Sequence, residues 1–145
     1  AMGGSYQFEN CTFSGTGQNE AVALSNFASN GTQGSYGDLE QANFSNCIIY
    51  GGKSNEILLN NENAASFNFL FENCLLRTTL NTDTSTYINC ITDMGPSFDF
   101  TADNAFSLSI NSPCVGAGLA NGLTEDLYCK SHNSPKDIGA VAYQN

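Results

Sequence analysis

Positive charge is what this chain most lacks. Four Lys and Arg residues stand against fourteen Asp and Glu, a single His is present, and the formal net charge is −10. Nucleic-acid backbones and anionic lipid surfaces are held by clustered cations, so the composition argues against both as partners. A polyanion such as pectate would be repelled unless metal ions intervened. No apolar run approaches the ~20 residues of a membrane-crossing helix, which argues against insertion by a helix. Charged residues of both signs amount to 12% of the chain, about half the usual share. The one His, His132, lies in the polar stretch Lys130-Ser131-His132-Asn133-Ser134-Pro135. A Ser-His-Asp triad would need that loop folded onto a serine, and no nucleophile-elbow phrase supplies one.

Asn, Ser, Thr and Gly fill the place of charge. That choice disfavours helices and favours strands joined by turns. One phrase dominates what is present. Phe8-Glu9-Asn10-Cys11, Phe44-Ser45-Asn46-Cys47, Phe71-Glu72-Asn73-Cys74 and Tyr87-Ile88-Asn89-Cys90 each read aromatic, spacer, Asn, Cys. The copies lie 36, 27 and 16 residues apart, which suits stacked units with one shared face and unequal loops. Within a copy, Phe8, Cys11 and Phe13 face inward and Glu9 and Thr12 outward, so Asn10 breaks the alternation. Asn tolerates left-handed backbone, and Asn10, Asn46, Asn73 and Asn89 are expected to turn a corner above one another. Their amides could bond along the stack as an Asn ladder.

Six cysteines invite a disulfide framework. In-register strands place like side chains ~4.8 Å apart, whereas a disulfide needs Cβ atoms within about 3.5–4.5 Å. Cys11, Cys47, Cys74 and Cys90 are therefore expected as a buried column of free thiols. Such a line cannot surround a tetrahedral zinc ion. Cys114 and Cys129 stand outside the repeat. A bond between them would close a loop of roughly 15 residues and contribute about 3 kcal/mol in the chain-entropy picture; one buried and one exposed thiol is the alternative.

Two further phrases lie downstream, Ser112-Pro113-Cys114-Val115-Gly116-Ala117-Gly118 and Asp137-Ile138-Gly139-Ala140-Val141-Ala142-Tyr143. With the four-fold repeat they give nearly the whole chain a resemblance to the right-handed parallel β-helix of pectate-lyase-like proteins. It is closest to the large secreted and surface families of Bacteroidetes and similar bacteria. The terminal phrase departs from that pattern at Ala142, where Glu is usual. The resemblance implies an all-β solenoid of about four coils over residues 5–95, with the last coil and an irregular C-terminal cap over 96–145, in one domain. It implies export, to the cell surface or outside the cell. Tyr6-Gln7-Phe8 enters a coil with no capping segment before it, so further coils of the same protein are expected upstream.

Lyases of this fold pair calcium-binding carboxylates with a basic residue. Here that points to Arg77 with Asp83 and Asp93, and to weak calcium binding around Asp99 and Asp103, although no EF-hand spacing is present. A glycosidase pair of carboxylates is not singled out by any spacing. Exposed aromatic rings are the usual platforms for sugars, and Tyr36 and Tyr50 stand beside Gly34, Gly37, Gly51 and Gly52, which could open a groove. Asn-x-Ser/Thr sequons at Asn10, Asn30 and Asn43 read as accidents of composition. The leading expectation is a non-catalytic section of an exported protein that contacts glycans or cell-surface material. The alternatives are a fragment of a polysaccharide lyase or glycoside hydrolase whose main site lies upstream, and a structural stalk or adhesin segment.

Overall fold

The computed structural model describes residues 2–102, 105–132 and 134–144. Among them the regular structure is all β, in eleven strands. The chain visits the same sheets repeatedly and in the same order. A first pass runs through β1 (Gly4–Glu9), β2 (Thr12–Gly15) and β3 (Val22–Ser25), then makes a hairpin of β4 (Phe27–Ser29) and β5 (Gly34–Tyr36). A second pass runs through β6 (Leu39–Ser45), β7 (Ile48–Gly51) and β8 (Ile57–Asn60). A third gives β9 (Leu70–Glu72) and β10 (Leu75–Leu76), and a fourth gives β11 (Tyr87–Ile88). The strands pair pass upon pass, all parallel: β1-β6-β9-β11, β2-β7-β10 and β3-β8. Only the β4–β5 hairpin is antiparallel among the named strands.

The corners follow from the repeated Asn. Asn10, Asn46, Asn73 and Asn89 have φ of 48°, 51°, 49° and 51°, the left-handed region that Asn enters at lower cost than most side chains. Each lets the chain leave the four-stranded sheet and enter the next. In-register pairing then aligns Phe8, Phe44, Phe71 and Tyr87. Their rings stack at 4.8, 4.8 and 5.3 Å. Phe44, Cys47, Ile49, Phe71, Cys74 and Leu76 are fully buried in this inner core, each large apolar side chain contributing about 1.5–3 kcal/mol by burial.

Ile48 and Leu75 alternate to the other face of the three-stranded sheet, yet they are buried too. A second cluster covers them, built with Leu108, Cys114 and Ile138 from the C-terminal third. Among the described residues beyond 95 there is no named strand and only isolated bridges, as at Phe98–Leu108 and Gly118–Lys136. This C-terminal segment is a strap along the outer face of β2-β7-β10, where it covers Ile48 and Leu75. Burial of a parallel sheet on both faces requires such a cover.

Candidate functional site

The strap lies on the Asn corners. Asn73 Nδ2 donates to Ala117 O at 3.2 Å, Asn46 Nδ2 to Leu119 O at 2.8 Å, and Asn121 Nδ2 donates to Asn10 Oδ1 at 2.6 Å. Residues 117, 119 and 121 thus meet the third, second and first passes in turn. Leu119 N returns a bond to Asn46 Oδ1 at 2.7 Å, and Asn10 Nδ2 also donates to Asp137 O at 3.2 Å. The expected amide ladder is reduced to one long rung, Asn46 Nδ2 to Asn10 Oδ1 at 3.4 Å. Asn89 sits exposed at the end of the row. The corners serve as a docking track more than as a ladder.

The two C-terminal phrases hold each other. Asp137, buried, accepts from Gly116 N through Oδ1 and from Tyr143 N through Oδ2, both at 2.7 Å. A Cβ on Gly118 would come within 2.8 Å of Asp137 O, and one on Gly139, at φ +109°, within 2.7 Å of Ile48 Cδ1. Asp126, also buried, ties Tyr128 N, Lys130 N and Ala142 N at 2.8, 2.9 and 3.0 Å. Ala142 is 1% exposed, so a charged side chain at this position would have to be buried at a cost.

The cysteine column is reduced: all six cysteines are free. Each repeat thiol points at backbone oxygens, Cys47 Sγ at Ser45 O (3.2 Å) and Cys74 Sγ at Glu72 O (3.3 Å). Acceptors on that side favour the protonated thiol, and burial pushes the Cys74 thiol well above the ordinary cysteine value. Burial likewise raises Cys114 to about 12. The possible Cys114–Cys129 disulfide is not formed. Cys114 is locked in the second cluster, while Cys129 lies exposed on a turn with φ of 58°. A thiol reagent should therefore titrate one cysteine quickly in the native protein and six after unfolding. Loss of the fast thiol without reductant, and its return with reductant, would restore the disulfide.

Chemistry is sparse around the lyase candidates. Arg77 places its guanidinium 4.9 Å from the centroid of the Tyr50 ring and donates from Nη1 to Gly51 O at 2.9 Å. Asp83 and Asp93 are exposed, and neither forms an ion pair with Arg77. Among the described residues the ion pair found is Lys53 with Glu20, at 2.6 Å. No three His, Cys, Asp or Glu side chains converge among those residues; Asp103 lies outside them. His132 has its imidazole held below the ordinary value, by burial first and then by Lys136.

The structure instead builds a cavity of about 650 Å³ where β2 and β7 end and the strap begins. Tyr50, Phe98, Phe100 and Phe106 supply its rings, and Ser14, Ser97 and Asp99 its polar side chains. The Phe98 and Phe106 rings meet edge to face at 5.5 Å, and Phe100 stands 92% exposed. Asp99 Oδ1 accepts from Thr101 Oγ1 at 2.7 Å and from Thr101 N at 2.9 Å. These bonds, the hydroxyl's first, hold its carboxyl below the usual carboxylate value. Tyr50 lies on the cavity wall. Tyr36 does not share it. It packs on Phe27, ring centroids 5.0 Å apart, on the β4–β5 hairpin. Three of the four rings, Phe98, Phe100 and Phe106, escaped sequence reading. The signal was available: they are Phe residues outside the repeat, clustered within nine positions.

Two structural polar residues were also missed. Asn26, fully buried, accepts from Glu62 N at 2.8 Å and donates to Glu62 O and Ala65 O at 2.8 and 2.9 Å, so it shapes the loop after β8. Glu56, fully buried, accepts from Lys53 N at 2.8 Å and Ala21 N at 3.0 Å, and its carboxylate fills the space left by Gly15 and Gly51.

No protein-family model, curated protein or solved structure matches this chain.

Proposed function

We propose that the chain is a right-handed parallel β-helix module of an exported or cell-surface bacterial protein, and that it binds glycans without catalysing a reaction on them. The three parallel sheets are the faces of its coils. Right-handedness follows the rule obeyed by about 98% of crossovers between parallel strands of one sheet. Unlike their counterparts in the second and third coils, Phe8, Cys11 and Phe13 are only half-buried, which supports a further coil of the same protein stacked on β1.

The observation that carries the glycan reading is the ring-lined cavity with the exposed Phe100 at its mouth. Apolar walls with a few polar groups in a volume of this size are the usual build of a ligand site. Engagement of Arg77 with Tyr50 and Gly51, with no ion pair to Asp83 or Asp93, argues against a lyase centre built on Arg77. Screening against a panel of oligosaccharides should give binding that falls at least tenfold in Phe100→Ala and Tyr50→Ala and stays unchanged in Tyr36→Ala. Release of unsaturated uronates from any polysaccharide, lost in Arg77→Lys, would replace this reading with the lyase one.

A further inference from the structure

We infer that the Tyr50 cavity takes a short uncharged oligosaccharide, held by the flat C–H faces of its rings, and rejects uronate chains. This rests on the glycan reading above and names its ligand.

The wall chemistry carries it. A uronate needs a cation or a divalent metal to offset its carboxylates. Among the described residues that line the cavity, the charged one is Asp99, an acid. Arg77, which touches two of the lining residues, is spent on the Tyr50 ring and the Gly51 carbonyl, and the chain as a whole carries −10. A carboxylated sugar would meet like charge both at the cavity and on approach. A neutral ring meets neither obstacle. Phe98 and Phe106 form an apolar corner, with interplanar angle 71°. Phe100 offers an uncovered face, so a ring with equatorial hydroxyls can lie flat on it and send its hydroxyls outward. Ser14, Ser97 and Asp99 are placed to meet them. Asp99 binds Thr101 through Oδ1 and draws on the Ala102 amide, and its carboxylate has lone pairs to spare. It is the acceptor open to a sugar hydroxyl, and such a charge-assisted bond is about twice as strong as a neutral one.

Selectivity should then depend on charge and salt. Cellotetraose and tetragalacturonate, titrated into the intact protein at low ionic strength, should differ at least tenfold in affinity in favour of cellotetraose. Added salt should narrow the gap by relieving the repulsion of the uronate. Asp99→Asn should narrow it as well, raising uronate affinity and weakening cellotetraose. Phe100→Ala should abolish cellotetraose binding; Phe100 is exposed, so this variant keeps its fold.

Tetragalacturonate binding as tightly as cellotetraose, with both lost in Phe100→Ala, would overturn the selectivity and leave the glycan reading standing. Failure of both sugars and of the wider oligosaccharide panel would overturn the glycan reading itself. Binding of cellotetraose that is indifferent to Phe100→Ala would place the sugar elsewhere and overturn the site.

Discussion

Replacing Gly51 by Ala should lower the stability of the fold by about 3–5 kcal/mol, a steric cost of about 1–3 kcal/mol together with about 1 kcal/mol for each of the two Glu56 hydrogen bonds it disturbs. Gly51 is not in left-handed backbone, so the cost is one of space. An added methyl would press on Glu56 Oε1 and lie 2.6 Å from Gly15 O and 2.7 Å from Gly15 Cα. Gly15 pairs with Gly51 across β2 and β7, and parallel strands keep a separation near 4.8 Å. The methyl can enter only by parting the strands or by expelling the Glu56 carboxylate from Lys53 N and Ala21 N. Two comparisons test the mechanism by urea denaturation. Gly31 has no atom within 4 Å of an added Cβ but a φ of +86°, so Gly31→Ala should cost only about 1 kcal/mol of backbone strain. For Gly15, the three nearest atoms to a new Cβ all belong to Glu56. Glu56→Ala should therefore offset much of the cost of Gly15→Ala while failing to rescue Gly51→Ala. Equal rescue of both would show that the strand backbones are not in the way.

Asn46→Ala should cost about 4 kcal/mol, from about 1 kcal/mol of left-handed strain and about 1–3 kcal/mol for each strap group left without its partner. Two groups lose partners, Leu119 N and Leu119 O, both bonded to the Asn46 amide below 3.0 Å. Asn46→Gly separates the contributions, because glycine removes the strain and still breaks the bonds; it should recover about 1 kcal/mol. Asn89→Ala supplies the other limit. Asn89 shares the φ of 51° but is exposed, so strain alone should remain, about 1 kcal/mol. Similar losses at positions 46 and 89 would mean that the corner conformation carries the effect and that the strap bonds contribute little.

What could be read from the sequence was whatever repeated. Phe44 and Phe71 recur at a fixed offset from Asn and Cys, and so the inner core, the inward cysteines and the left-handed corners were all legible in the sequence. The residues that escaped act once. Glu56 is one acid among fourteen, and nothing local distinguishes a carboxylate that meets the amides of residues 21 and 53 across a turn. Asn26 follows Leu24-Ser25 as Asn46 follows Phe44-Ser45, but the Cys that flags the other corners is replaced by Phe27. The strap was legible as phrases and not as a position, because its contacts join residues more than forty apart. At the cavity, Tyr50 stood out through its flanking glycines. The three phenylalanines that complete the wall lie in a segment with no strand period to orient them.

The strap has a consequence for how this molecule comes together. In a bare stack each layer touches only its neighbours, and such arrays can open stepwise from their ends. A segment that grips three layers at alternate residues removes that freedom, since releasing one layer strains the bonds to the other two. The stack and its cover are therefore coupled into a single cooperative unit. The same geometry sets the order of assembly. Asn10 and Asp137 are 127 positions apart, and contacts that close so long a loop form late and slow the search for the native state. On a ribosome the first corner is finished well before the residues that secure it emerge, so the nascent chain passes through a stage in which the corner amides and the outer faces of Ile48 and Leu75 are open to water.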